Sequence, residues 1–226
     1  RVFAGIGIDA GPDVPAPDAD LLRDVAVRAA WPSLARVFGP ACSTNITGSG
    51  FVYAPQRIMT NAHVVAGISE PRIQIPGDPN SYRGRVVVFD PELDLAVIYV
   101  PALLAPALEF SAAQADTGDS AVAAGFPGGG DLRASPARIR AVVDARGENI
   151  YGRVGPTREV YTFRGEVRPG NSGGPLLSPS GDVLGVIFAS GAGDPDTGYA
   201  LTADQVAQVA ATGRNATVGL ADTACR

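Results

Sequence analysis

Apolar positions along the chain recur in short runs, not in long helical stripes. The runs at 49–53, 57–60, 72–75, 84–90 and 95–100 are rich in Val, Ile, Phe and Tyr and stop at Gly, Pro, Asn or Asp. That punctuation predicts a first group of strands. A second group is predicted at 120–125, 136–145, 158–163, 175–177, 183–190 and 199–202, and residues 101–117 read as the crossover between the two. Helical spacing is confined to the ends. Leu21, Leu22, Val25, Val27, Ala29 and Trp31 predict a helix capped by Asp18 or Asp20, and a second short helix is expected over 33–38, after Pro32. At the other end Thr202 or Asp204 caps a predicted helix over 204–212, with Val206 and Val209 on one face. Residues 1–20, rich in Gly, Pro, Asp and Ala, read as an extended or poorly ordered lead-in. The chain thus divides into a partly helical N-terminal extension (1–41), a first β unit (42–112) and a second β unit with a C-terminal helix and tail (113–226). The class is all-β, a barrel or a sandwich.

Three segments carry chemistry. Pro169-Gly170-Asn171-Ser172-Gly173-Gly174-Pro175-Leu176 sets a serine hydroxyl among glycines that permit a tight turn and leave room for a substrate. A nucleophilic serine needs such a turn, because its Oγ must reach a carbonyl while nearby N–H groups receive the developing charge. By itself the octapeptide is also compatible with an ordinary glycine-rich loop, since the chain has 28 glycines. His63, the only histidine, follows a strand-like run within Met59-Thr60-Asn61-Ala62-His63-Val64-Val65. Between the two lies Asp90-Pro91-Glu92-Leu93-Asp94, at the mouth of the apolar run Leu95-Ala96-Val97-Ile98-Tyr99-Val100. Asp94 abuts that run directly, whereas Asp90 precedes a turn-forming proline; Asp90 and Glu92 are its competitors. The resulting order is His63, Asp94, Ser172. Subtilisins run Asp–His–Ser and α/β-hydrolases Ser–Asp–His.

Thr60-Asn61-Ala62-His63-Val64-Val65, Asp94-Leu95-Ala96-Val97, Ala124-Gly125-Phe126-Pro127 and Gly170-Asn171-Ser172-Gly173-Gly174-Pro175-Leu176 resemble the signature blocks of trypsin-like serine proteases. The HtrA branch of that chymotrypsin-fold family is the nearest in wording, over about residues 42–203. The N-terminal extension, the two cysteines and the absence of a PDZ domain resemble more narrowly the membrane-anchored actinobacterial proteases linked to acid resistance. The resemblance implies two six-stranded antiparallel β-barrels with an N-terminal helical extension and a C-terminal helix. It implies His63 as general base, Asp94 as its orienting carboxylate and Ser172 as nucleophile. The N–H groups of Gly170 and Ser172 would form the oxyanion hole. Phe188, Ala189 and Ser190 occupy the place where the family pairs an edge strand with the substrate backbone, Val186 and Ile187 reading as core. Glu166 falls near the base of the expected specificity pocket, where an acid would favour Arg or Lys at the cleaved position. With His63 as sole base, activity is expected to fall as pH drops through the imidazole range.

Composition narrows the setting. A chain of 226 residues with 46% apolar residues buries a sizeable core as one two-lobed unit. Its net charge is −5 without a basic stripe, which argues against a nucleic-acid partner, and the use of arginine for all 18 basic residues reads as a high-GC genome signature. No apolar run is long enough to span a membrane, because the stretch 95–108 is broken by Pro101 and Pro106. The chain starts at Arg1, so any anchor or export signal is expected upstream. Cys42 and Cys225 are either two unrelated buried thiols or a disulfide tying the C-terminal tail to the start of the first β unit. The disulfide would place the protein in an oxidising compartment, the periplasm or cell exterior. The resemblance implies the periplasm, with a tether to the inner membrane in a preceding segment. One histidine and two distant cysteines make no metal site, and no cofactor is expected. The expected partner is a polypeptide substrate, taken by a monomeric domain. Two other classes share these residues: a binding or chaperone module that has lost productive geometry, and an esterase.

Overall fold

A computed structural model describes residues 9–191, 194–221 and 223–225, and these described residues form thirteen strands and three α-helices. The strands are β1 (Leu34–Ala41), β2 (Thr44–Ala54), β3 (Arg57–Thr60), β4 (Arg72–Gln74), β5 (Tyr82–Arg83), β6 (Arg85–Asp90) and β7 (Leu95–Tyr99), then β8 (Ser120–Gly125), β9 (Arg133–Glu148), β10 (Val154–Arg164), β11 (Pro175–Leu177), β12 (Val183–Ser190) and β13 (Thr197–Thr202). The helices are α1 (Val25–Ala29), α2 (Ala62–Val65) and α3 (Ala203–Gly213). β1 to β7 make one curled seven-stranded sheet in the order β5-β4-β1-β2-β3-β7-β6, and β8 to β13 close into a six-stranded barrel in the order β10-β13-β12-β11-β8-β9. All pairings within them are antiparallel. The all-β class and the two-lobed protease architecture hold, with seven strands in the first lobe instead of six.

Period-two alternation explains how two lobes share one interface. Along β2, Val52 points into the first lobe's core while Phe51 and Tyr53 point out to a second core between the lobes. β7 repeats this, with Ala96 and Ile98 inward and Leu95 and Val97 outward. The second lobe answers in kind. Ala121 and Ala123 of β8, Ile187 of β12 and Ala200 of β13 fill its interior, whereas Val122, Ala124, Val186, Phe188, Tyr199 and Leu201 face the interlobe core. Strands buried on both faces read as the continuous apolar runs seen in the sequence. The helix α3 then lies across the seam: Thr202 caps it by accepting from Gln205 N, and Val206, Val209 and Ala210 join the interlobe core. The Tyr53 hydroxyl donates to Ala210 O (3.0 Å) and Arg57 Nε to Gly213 O (3.1 Å), so this helix fastens back onto the first lobe.

Two local expectations fail. Residues 33–38 are not a helix: only Trp31–Ser33 form a 3-10 turn, and β1 begins at Leu34, so the first sheet starts ahead of residue 42. Ala35, Val37, Gly39 and Ala41 are buried while Arg36, Phe38 and Pro40 alternate outward, a strand period that outweighs the local helical composition. The expected helix near residue 20 is also divided. A 3-10 turn (Ala19–Arg23) ends at Asp24, whose extended backbone and side chain, accepting from Ala26 N, start α1 afresh. Residues 1–8 of the expected lead-in lie outside the described residues. From Asp9 onward the lead-in runs against the second lobe, where Arg164 Nη1 donates to Val14 O (2.8 Å) and Arg138 Nη2 to Ala16 O (3.2 Å).

Candidate active site

Three loops from the two lobes meet at the interlobe cleft. His63 stands on α2, a single helical turn that follows β3 directly. Asp94 ends the β6–β7 turn, where it adopts φ 59°, a left-handed conformation that Asp tolerates better than most residues. The turn explains how three acids divide their work. Asp90 Oδ1 accepts from the Glu92 and Leu93 N–H groups (2.9 Å each) and closes the turn on itself. Glu92 Oε1 accepts from Asn149 Nδ2 (2.8 Å). The Asp94 carboxylate faces the imidazole, with His63 Nδ1 at 2.7 Å from Oδ2 and the His63 main-chain N–H donating to Oδ1 (2.9 Å). Asn61 Nδ2 donates to Asp94 O (2.8 Å), tying the residue before the histidine turn to the same aspartate. The Asp94 side chain is fully buried and the His63 side chain is 9% exposed, so the pair is desolvated yet reachable from one side.

Ser172 lies on the turn between β10 and β11 and is partly exposed. Gly173 N–H donates to Ile187 O (2.8 Å) and Ile187 N–H to Gly174 O (2.9 Å), which pins the turn to β12. Ser49 N–H of the first lobe donates to Ser172 O (2.8 Å). Gly173 has φ 86°, and a Cβ there would stand 2.1 Å from Ser49 O and 3.1 Å from Asn61 N. Only a residue without a side chain lets the serine turn press this closely on the histidine loop. Among the described residues no hydrogen bond joins Ser172 to His63, a contact that often tightens only with substrate bound. None of the described residues accepts from the Gly170 or Ser172 N–H, whereas Asn171 N–H is taken by Arg168 O (3.0 Å).

The other expected residues are placed unevenly. Ala189 is half-buried and Ser190 exposed at the end of β12, past Pro175, which pairs with Val186 and starts β11. The Phe188 side chain is buried in the interlobe core and leans on Tyr199, with ring centroids 6.4 Å apart. Glu166 is half-exposed and its carboxylate is held by Arg168 (Nη2 at 2.6 Å), so it is a matched surface pair and not the floor of a closed acidic pocket. Cys42 and Cys225 are joined as a disulfide.

Sequence reasoning passed over several supporting residues. Arg158 of β10 is almost wholly buried, donates from Nη2 to Glu148 O (2.9 Å) and stands over the Phe188 ring. Burial pushes its guanidinium below the usual range, against the attraction of Asp94 and then Glu92. A lone arginine in a strand gives no signal of such a position. Ser49, between Gly48 and Gly50, did carry a signal, because two flanking glycines mark a close backbone approach inside a strand.

The family described as "Trypsin-like peptidase domain" matches residues 48–186. Serine protease Rv3671c of Mycobacterium tuberculosis is 43% identical over 210 residues, 91% of this chain and 52% of that protein. The protein named "Probable periplasmic serine endoprotease DegP-like" of Chlamydia pneumoniae is 34% identical over 68% of this chain and 31% of its own length. The chain thus spans about half the length, or less, of these curated relatives. A crystal structure of the Rv3671c protease in its active form superposes with a TM-score of 0.91 at 39% identity, covering 100% of this chain and 99% of that one. Its inactive form gives 0.80 at 42% identity, covering 88% and 98%. By sequence match, fold and the loops that meet at its cleft, the chain belongs to the family of trypsin-like peptidases.

Proposed function

We propose that this chain is the catalytic domain of a serine endopeptidase that cleaves extracytoplasmic polypeptides. The observation that carries the reading is the buried Asp94 carboxylate set 2.7 Å from His63 Nδ1, beside a serine turn drawn in from the other lobe. With Nδ1 committed to Asp94, the ring's lone pair sits on Nε2. Nε2 takes the proton from Ser172 Oγ as that oxygen bonds to the scissile carbonyl carbon, and Asp94 stabilises the imidazolium so formed. The carbonyl oxygen becomes an oxyanion received by the Gly170 and Ser172 N–H groups. Collapse breaks the C–N bond, and the leaving amine carries off the proton held by His63. Water, deprotonated by the same nitrogen, then releases the acyl group and restores the serine.

The orientation of the Pro169–Gly170 peptide supports this use of the loop. Pro169 O accepts from Gly128 N–H (2.8 Å), and in a trans peptide the Gly170 N–H points the opposite way. Ala189 and Ser190 extend β12 beyond β11, where an extended peptide can add as a further strand, so that main-chain pairing gives affinity and pockets give selectivity. The disulfide and the DegP-like relatives favour the periplasm. A tether ahead of this chain, and a part in envelope stress or acid resistance, follow the resemblance. A fluorophosphonate is expected to label the protein at Ser172, with labelling and peptide cleavage both lost in Ser172→Ala. Peptide cleavage that survives Ser172→Ala overturns the assignment.

A further inference from the structure

We infer that Ser49, a first-lobe residue that touches no substrate, is a positioning residue that holds the oxyanion loop in its working shape. The inference rests on the endopeptidase reading above. Ser49 is fully buried on β2, and every polar group it has is engaged. Its N–H donates to Ser172 O (2.8 Å), and its carbonyl accepts from Thr60 Oγ1 (2.7 Å). Its hydroxyl donates to Gly170 O (2.6 Å) and accepts from Phe126 N–H (2.8 Å). A hydroxyl has one proton to give, and here Gly170 receives it.

Gly170 is where rotation is cheapest, since a glycine at φ 103° is not held by a Cβ. Its working shape therefore depends on what grips the two peptides around it. The Pro169–Gly170 peptide is gripped through Pro169 O by Gly128 N–H. The Gly170–Asn171 peptide is gripped through Gly170 O by the Ser49 hydroxyl and through Asn171 N–H by Arg168 O. These grips are linked, because the segment Phe126–Gly130 that presents Gly128 begins at the amide resting on the same Ser49 oxygen. Arg36 of β1, opposite Ser49 in the ladder, adds a hydrogen bond from Nη1 to Gly129 O (2.5 Å). One first-lobe hydroxyl thus joins both supports of the second-lobe loop. Its removal leaves Phe126 N–H unpaired in a buried site and Gly170 O unpaired in a part-buried one, and rotation at Gly170 is the simplest relief. That rotation turns the Gly170 N–H away from the developing charge.

The test compares Ser49→Ala with the parent on a fluorogenic peptide that the parent cleaves. Loss of one oxyanion donor commonly costs about 10²–10³ in rate, so loosening one is expected to lower kcat by about 10–100-fold. KM should stay within about twofold, since the hole acts mainly in the transition state. A peptide aldehyde, whose adduct oxygen occupies the hole, should bind more weakly by the same factor as the fall in kcat. Tyr53→Phe, which removes another buried hydroxyl from β2, serves as the control: it should lower stability and leave kcat unchanged. If Ser49→Ala does not fold, Ser49→Cys keeps the shape with a weaker donor, and its kcat should still fall with KM intact. Full kcat in either folded variant, or a fall in kcat matched by the Tyr53→Phe control, overturns the inference alone. A parent that neither cleaves the peptide nor reacts with fluorophosphonate at Ser172 overturns this inference together with the endopeptidase reading.

Discussion

The role proposed for Asp94, orienting the base, is testable because of its backbone. Its φ of 59° lies in the left-handed region, which Asn also occupies readily, so Asp94→Asn removes the charge with little backbone strain. The amide cannot reproduce a carboxylate that accepts from both the main-chain N–H and Nδ1 of His63. In the Ser-His-Asp template this neutralisation lowers kcat by about 10⁴-fold, and the same order is expected here in steady-state cleavage of a peptide. A variant with near-parental kcat would remove Asp94 from the proposed role. The choice among Asp90, Glu92 and Asp94 was legible only as a preference. Which acid closes the turn, which meets Asn149 and which meets His63 depends on the path of the β6–β7 connection and on a loop from the other lobe.

At the scale of elements, the docking of α3 on β2 shows how burial sets a pH limit. The Tyr53 hydroxyl is raised to about 12 by loss of water, a shift only partly offset by Arg214 and Arg57. The folded value lies above the unfolded one, so the neutral phenol stabilises the fold below about pH 10, and that contribution is lost as pH rises toward about 12. Tyr53→Phe is expected to lower stability at neutral pH by about 1 kcal/mol through the lost hydrogen bond to Ala210. It should also make denaturant midpoints fall less steeply between about pH 10 and 12. Parallel curves for parent and variant would contradict this. Strands were the legible elements: 57–60, 120–125, 175–177 and 183–190 coincide with β3, β8, β11 and β12. β1 was misread because Pro32 and its neighbours suggest a helix start, while its alternation gains meaning only against β2 and β4.

For the whole molecule, the C-terminal tail closes the architecture. The Cys42–Cys225 disulfide spans 183 residues, and Thr223 beside it accepts at its carbonyl from Gly67 N–H (2.6 Å) and donates from Oγ1 to Val65 O (3.0 Å). The tail is thus bound to the segment just after His63. A closed loop of this length is worth about 5 kcal/mol in the chain-entropy model, and removal of a native disulfide typically costs about 2–5 kcal/mol. The double variant Cys42→Ser, Cys225→Ser should lose that amount in urea unfolding, and reduction of the parent should lose the same. Equal midpoints with and without reductant would show that the bond adds no stability.

The sequence by itself determined the β class, the order of histidine, aspartate and serine, and the glycines of the serine turn. Each of these is written in local chemistry: residue period, turn formers, and a residue type that permits close approach. Only the tertiary structure decided that Ser49 reaches Gly170 and that Arg158 lies buried within the field of Asp94. Those relations join residues whose partners are set by how two lobes pack face to face. Side-chain reach across such an interface leaves no periodic trace along the chain.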